Sequence, residues 1–405
     1  MLTSLHRVGK LALAIGIAAL GAGTVAFGPV ASANPTGGPS WIPGFRSTVI
    51  ISGSRLHHRF TPVGVATATA MVTEPLANPD DITRLGNWIF VGFQNGVGPK
   101  GQPSADGNSD STVVEFTSTG HVVGQWDVTG KTDGLTADQA IGGVIATVNE
   151  DANSSLYVIH PGWASAGGTV IHYKYNVPLP HDGGTDAISI DGKNIFISAS
   201  APGTTGAPAP QPTYPAVYSV TLDPTSRVAS VTPLFYDRDT ATVVNTNSPQ
   251  FGKATSLALT DPDSNEVVPW GARFGGDFML TSQGDLQQIY VSGAGTPFQH
   301  LSALNLSQSV DDTVWPVSFT GSLYATDSID DTVAAISGPF RPGQPMVAAT
   351  PCGSNSAPAT CPGPGYPANY LATLDPWTGQ VSAVNVTGHD FTPQGGLLFV
   401  PGFAR

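Results

Sequence analysis

The chain has 405 residues, including 48 Gly and 35 Pro, and only 11% are charged, against roughly a quarter in an ordinary soluble domain. With 40% hydrophobic residues, this composition excludes a helical bundle and a disordered chain, and points to many short strands joined by turns. The net charge of −13 comes without a Lys/Arg cluster, which excludes nucleic acid and anionic lipid surfaces as partners.

The acids are lopsided. Only Glu74, Glu115, Glu150 and Glu266 are Glu; the rest are Asp, which favours turns, caps and oxygen-ligand metal sites.

Residues 1–33 read as a secretory signal peptide. Arg7 and Lys10 precede an apolar stretch from Leu11 to Phe27, and Ala31-Ser32-Ala33 supplies a small-residue cleavage site. Losing Arg7 and Lys10 takes the net charge from −13 to −15. No later stretch is long and apolar enough to span a bilayer, so 34–405 is expected to be one extracellular domain without membrane insertion.

Two strands open this domain: Thr48-Val49-Ile50-Ile51 and, after a turn at Ser52-Gly53-Ser54, Leu56 to Phe60. Downstream the sequence repeats. Thr132-Asp133-Gly134-Leu135-Thr136-Ala137-Asp138 aligns without gaps on Thr185-Asp186-Ala187-Ile188-Ser189-Ile190-Asp191. The segments around Asp80, Thr255, Asp312 and Asp390 fit the same frame, so the marked positions are spaced by 53, 53, 69, 57 and 78 residues. A strand-like run follows each mark, as in Trp88-Ile89-Phe90-Val91 and Asn194-Ile195-Phe196-Ile197, and then a hairpin in most units. Ser322 to Ala325 fills this place in the unit marked by Asp312.

Each unit therefore reads as four antiparallel strands, and the fold as an all-β, six-bladed β-propeller with blades starting near 80, 133, 186, 255, 312 and 390. The last unit ends after two strands, and the two N-terminal strands are expected to complete it as its third and fourth. Such a closed ring needs no second copy, so a monomer is expected. Cys352 and Cys361, with eight residues between them in an exported chain, are expected to form a disulfide pinning a surface loop.

The segment from Thr132 to Ile159 resembles an NHL-type blade, and the chain resembles the superfamily of gluconolactonase-type lactonases, streptogramin lyases and strictosidine-synthase-like proteins. It also looks like a group of secreted actinobacterial propellers for which no activity is established. The resemblance implies the fold. It further implies that Asp133, followed by Gly134 as in gluconolactonase-like proteins, is a metal ligand, with Asp186 second.

In a propeller the marked positions ring one mouth of the central channel. Asp80, Asp133, Asp186, Asp312 and Asp390 would there hold Ca2+ or Mg2+, or each Asp would cap a turn by bonding its own backbone. Both readings stand at this point. The long loops expected on that mouth, 93–110, 201–215 and 338–368, are small and neutral in composition, which suits a neutral ligand. No organic-cofactor, hydrolase or phosphate-loop motif occurs, and no Glu-x-His pairing. His181 and His389 are the candidate proton carriers. The functional expectation is a non-catalytic propeller that binds an extracellular small molecule, a protein or the cell envelope. The alternative is a metal-dependent hydrolase or lactonase.

Overall fold

The structure is a computed structural model that describes residues 42–64, 70–162, 167–180, 183–200, 213–351 and 369–402. The expected signal peptide, Cys352, Cys361 and His181 lie outside the described residues. The described chain is all-β, with one short 3-10 turn at Gly53–Arg55. None of its helices is long and apolar enough to cross a membrane.

The strands pair in sets of four. The first set is Pro79–Leu85, Trp88–Phe93, Asp110–Phe116 and Val122–Thr129. The second is Thr132–Asp138, Gly143–Val148, Ser155–His160 and Thr169–Tyr175; the third is Ile188–Asp191, Asn194–Ser198, Pro215–Asp223 and Val228–Tyr236. The fourth is Pro262–Val267, Phe278–Ser282, Gln287–Ser292 and His300–Asn305, extended outward by Thr240–Val243 and Ala254–Ser256. The fifth is Val310–Val314, Met346–Ala349, Tyr370–Leu374 and Val381–Gly388.

The sixth set corrects the expected closure. Its inner strand is the C-terminal Leu397–Pro401 and its outer strand the N-terminal Ile42–Ser52, but its middle pair is the hairpin Gly321–Asp327 and Thr332–Ser337. Ser322 to Ala325 therefore pairs with Val400 to Leu397, not with the strand around Asp312. The N-terminus supplies one strand rather than two. Gly53 turns the chain away: its N–H bonds Asp331 O at 2.7 Å, and a Cβ there would lie 2.2 Å from Leu76 O. His57–Phe60 then pairs with Val72–Pro75 in a separate ribbon.

The second strand of each set is apolar on both faces because both faces are covered. Ile89, Val91 and Phe93 pack with Tyr324 and Val333 of the sixth set, while Phe90 packs with Val144 and Ala146 of the second. The same division recurs between second and third, third and fourth, fourth and fifth, and fifth and sixth sets. Six apolar cores thus form a closed cycle. Each fully buried Val, Leu, Ile or Phe contributes roughly 1.5–3 kcal/mol, so these cores dominate the stability.

Phe45, on the N-terminal strand, inserts edge-on against Phe340 with ring centroids 5.4 Å apart and belongs to the core between fifth and sixth sets. Phe45→Ala is expected to lower the unfolding free energy by about 3–5 kcal/mol in urea titrations. A loss below about 1 kcal/mol would show that the N-terminal strand does not hold the closure.

Candidate functional site

The innermost strands begin alike. The ladder shifts register between Pro79 and Ile82, Thr132 and Leu135, Pro262 and Asn265, and Val310 and Thr313. This bulge turns the residue after the first strand position out of the ladder. That residue is Asp80, Asp133, Asp263 and Asp311, and Asp186 holds the same place ahead of Ile188–Asp191. In the sixth set it is Gly395, at φ +81°, where a Cβ would lie 2.4 Å from Asp80 Oδ1.

All five aspartates line both a cavity of about 400 Å3 on the side of the second-to-third-strand loops and one of about 320 Å3 on the opposite side. The loop-side cavity adds Gln94, Lys131, Glu150, Asp261, Gln283 and Gln394, with Val97 and Pro99 as its apolar side chains. Glu150 is held here by a close approach. Gly184 crosses its carbonyl so tightly that a Cβ would lie 1.1 Å from the oxygen.

The expected positions divide. Asp80, Asp133 and Asp186 converge as read. Thr255 does not: it sits on the outermost strand of the fourth set, and Asp263 takes the place assigned to it. Asp390 is exposed and, like the half-buried His389, lines neither cavity; Gly395 replaces it because the innermost strand starts at Leu397. Asp312 lines the opposite-side cavity but is one residue out of the frame held by Asp311. Its Oδ1 accepts the Thr313 N–H at 2.6 Å and its Oδ2 the Leu397 N–H of the next set at 2.5 Å. Asp81 does the same for Ile82 and Leu135, both at 2.6 Å. The turn-capping reading thus describes Asp81 and Asp312, and the convergence reading describes the five frame residues. Asp263, Asp311, Lys131, Glu150 and Gln94 were missed.

Burial governs the charges. It raises Asp80, Asp186 and Asp263 well above the usual carboxylate range, aided by their acidic neighbours, and it raises Asp311. Asp80, Asp186 and Asp263 keep part of their surface open, toward the two cavities they line. Asp133 is pushed up to about 7 by burial, even though Lys131 lowers it. Asp311 repels Asp263 and adds to the rise that burial gives its carboxyl.

Lys131 Nζ lies 2.9 Å from Asp133 Oδ1 and also bonds Glu150. Gln94 Nε2 donates to Asp80 Oδ2 at 2.8 Å and Asp133 Oδ1 at 3.2 Å. Asp133 Oδ2 is buried and has no partner among the described residues.

These oxygens have the chemistry of a hard-cation site. Among the described residues, however, no three His, Cys, Asp or Glu side chains gather closely enough to hold a metal, and an ammonium already stands against Asp133. The residues present do not fit a resident metal.

No protein-family model matches the sequence, and no curated protein matches it. Solved structures similar to it include the periplasmic gluconolactonase of Pseudomonas aeruginosa, at 14% identity over 82% of this chain and 92% of that one, with a TM-score of 0.42. A Bacteroides thetaiotaomicron protein of unknown function is 11% identical over 86% of this chain and 67% of that one, with a TM-score of 0.42. A streptogramin B lyase is 10% identical over 88% of this chain and 95% of that one, with a TM-score of 0.38. At these scores the likenesses carry no argument about this chain's chemistry.

A carboxyl whose pKa rises on folding adds stability that is fully present below its unfolded value near 4 and lost as pH climbs through the folded value. For Asp133 and Asp81 that window ends near 7. The melting temperature is therefore expected to fall between pH 5 and pH 8. Asp186→Asn should recover a few degrees at pH 8 and change little at pH 4. A melting temperature that rises across this range would refute the buried-carboxyl reading.

Proposed function

We propose that the chain is an exported, monomeric, six-bladed propeller that binds a neutral, polyhydroxylated small molecule at the loop-side mouth of its channel, without transforming it. The observation that carries this reading is the composition of the loop-side cavity. Asp carboxyls, Gln amides and one ammonium mix hydrogen-bond donors and acceptors around about 400 Å3, and only Val97 and Pro99 contribute apolar side chains. Burial pushes these carboxyls toward the protonated form, in which they donate as well as accept, and this suits hydroxyl groups of either orientation. The small, neutral loop at this mouth agrees with an uncharged ligand.

A divalent-metal-dependent hydrolase or lactonase is the second reading. Asp133 and Asp186 would hold Ca2+ or Mg2+; of the two expected proton carriers, His389 lines neither cavity and His181 lies outside the described residues. The unpartnered Oδ2 of Asp133 favours it; the ammonium of Lys131 beside the same carboxyl opposes it.

Calorimetry against neutral monosaccharides, sugar alcohols, polyamines and sugar acids separates these classes. A neutral polyol is expected to bind, and at a hundred times its Kd to stabilise the fold by about 2.7 kcal/mol. Gln94→Leu should weaken binding by roughly tenfold, about 1.4 kcal/mol. Binding confined to polyamines would overturn the neutral-ligand reading. EDTA-sensitive hydrolysis of a lactone or ester panel would establish the second.

A further inference from the structure

Lys131 is the one basic side chain lining the loop-side cavity among the described residues. Its backbone is fixed on both sides: its N–H donates to Asn149 Oδ1 at 2.9 Å, and its carbonyl accepts the Asn149 N–H at 2.8 Å. Asn149 itself sits at φ 69°, a left-handed position that Asn tolerates well. The side chain is 16% exposed, and its ammonium bridges Asp133 and Glu150. Asp133, 3% exposed at its side chain, therefore has one oxygen on Lys131 and one, Oδ2, with no partner.

Calcium binds oxygen at 2.3–2.6 Å. An ion drawn to Asp133 would stand within a few ångströms of Lys131 Nζ, where two positive charges repel in a site shielded from water. An ammonium has three N–H donors. Asp133 and Glu150 account for two, and Lys131 lines the cavity, where a ligand oxygen can take the third.

We propose that Lys131 is the channel's resident cation: its ammonium occupies the place a divalent metal would need, excludes that metal, and offers its third N–H to an oxygen of the bound ligand. Without it, Asp133 and Glu150, which share the ammonium, would face each other with an unpartnered Asp133 oxygen and no counter-charge, and hard cations bind such oxygens. The proposal rests on the ligand-binding reading of the channel mouth, but its test reads metal binding, so the two fail separately.

The test compares the full mature chain with Lys131→Gln by calcium and magnesium calorimetry, and by thermal melts in EDTA and in millimolar calcium chloride. The wild type is expected to melt alike in both and to bind neither ion. Lys131→Gln should melt lower in EDTA, recover with calcium, and give a calcium-binding isotherm where the wild type gives none.

The double variant Lys131→Gln/Asp133→Asn removes one charge of each sign, and should be indifferent to calcium. Stoichiometric metal on the wild type would overturn the proposal. So would a Lys131→Gln chain that gains no calcium affinity or stays unfolded with calcium, and so would calcium binding that persists in the double variant.

Discussion

Among the described residues, the second strand of each four-stranded set buries both of its faces, and that constraint organises the rest of the molecule. A sheet apolar on both sides cannot stand at the end of a row, because one face would meet water. Six cores in a closed cycle remove the ends altogether. The cycle has to close through non-covalent contacts, since the chain itself is open. Three separate segments build the closing set: the C-terminal strand, an internal hairpin and the N-terminal strand. The first and last described strands are held by burial of Phe45, Ile51 and Phe399.

A second, polar cycle runs inside the apolar one. Asp81 joins first to second set through Leu135, Thr147 Oγ1 reaches Asp186 O at 2.6 Å, and Ser198 Oγ reaches Asp263 O at 2.5 Å. Ser264 bonds Asp311 O, Asp312 takes the Leu397 N–H, and the Gly396 N–H closes onto Asp80 O at 2.9 Å. Each junction places a backbone or carboxyl group of one set against the next at the level of the frame aspartates. The convergence of the five carboxyls is thus a consequence of closure: the same bulge, repeated around a cycle, turns the same position inward.

What could be read from sequence follows from how local the determinant is. Asp80, Asp133 and Asp186 were legible because three successive units share spacing and an apolar residue two places on, at Ile82, Leu135 and Ile188. Asp263 was hidden because Asn265 stands at that apolar place, and its Nδ2 instead bonds Ala187 O at 2.6 Å. The added strand Ala254–Ser256 offered a false match at Thr255. Asp311 and Asp312 are adjacent, and only the position of the bulge decides which one turns inward. Ser322 to Ala325 was assigned to its sequence neighbour, the usual pairing rule, which fails where a cycle must be closed by distant segments. Lys131 and Glu150 belong to a turn pair whose meeting depends on how Gly184 crosses Glu150, and no local pattern encodes that contact.

Closure also sets the electrostatic problem that the channel has to solve. A cycle that repeats one bulge delivers its inward residue from several directions into one enclosed space, so a single frame choice is multiplied. Five aspartates there cannot all stay ionised without counter-charge. The chain answers in three different ways around the ring. Gly395 omits the sixth carboxyl and leaves room for Asp80. Burial, with repulsion between Asp263 and Asp311, pushes these carboxyls away from the ionised form. Lys131 brings a permanent positive charge against Asp133 and Glu150. A bound metal would neutralise such a ring from a single point. Gly395, the raised carboxyls and Lys131 are groups of the chain itself, and the channel mouth they line is rich in hydrogen-bond donors and acceptors.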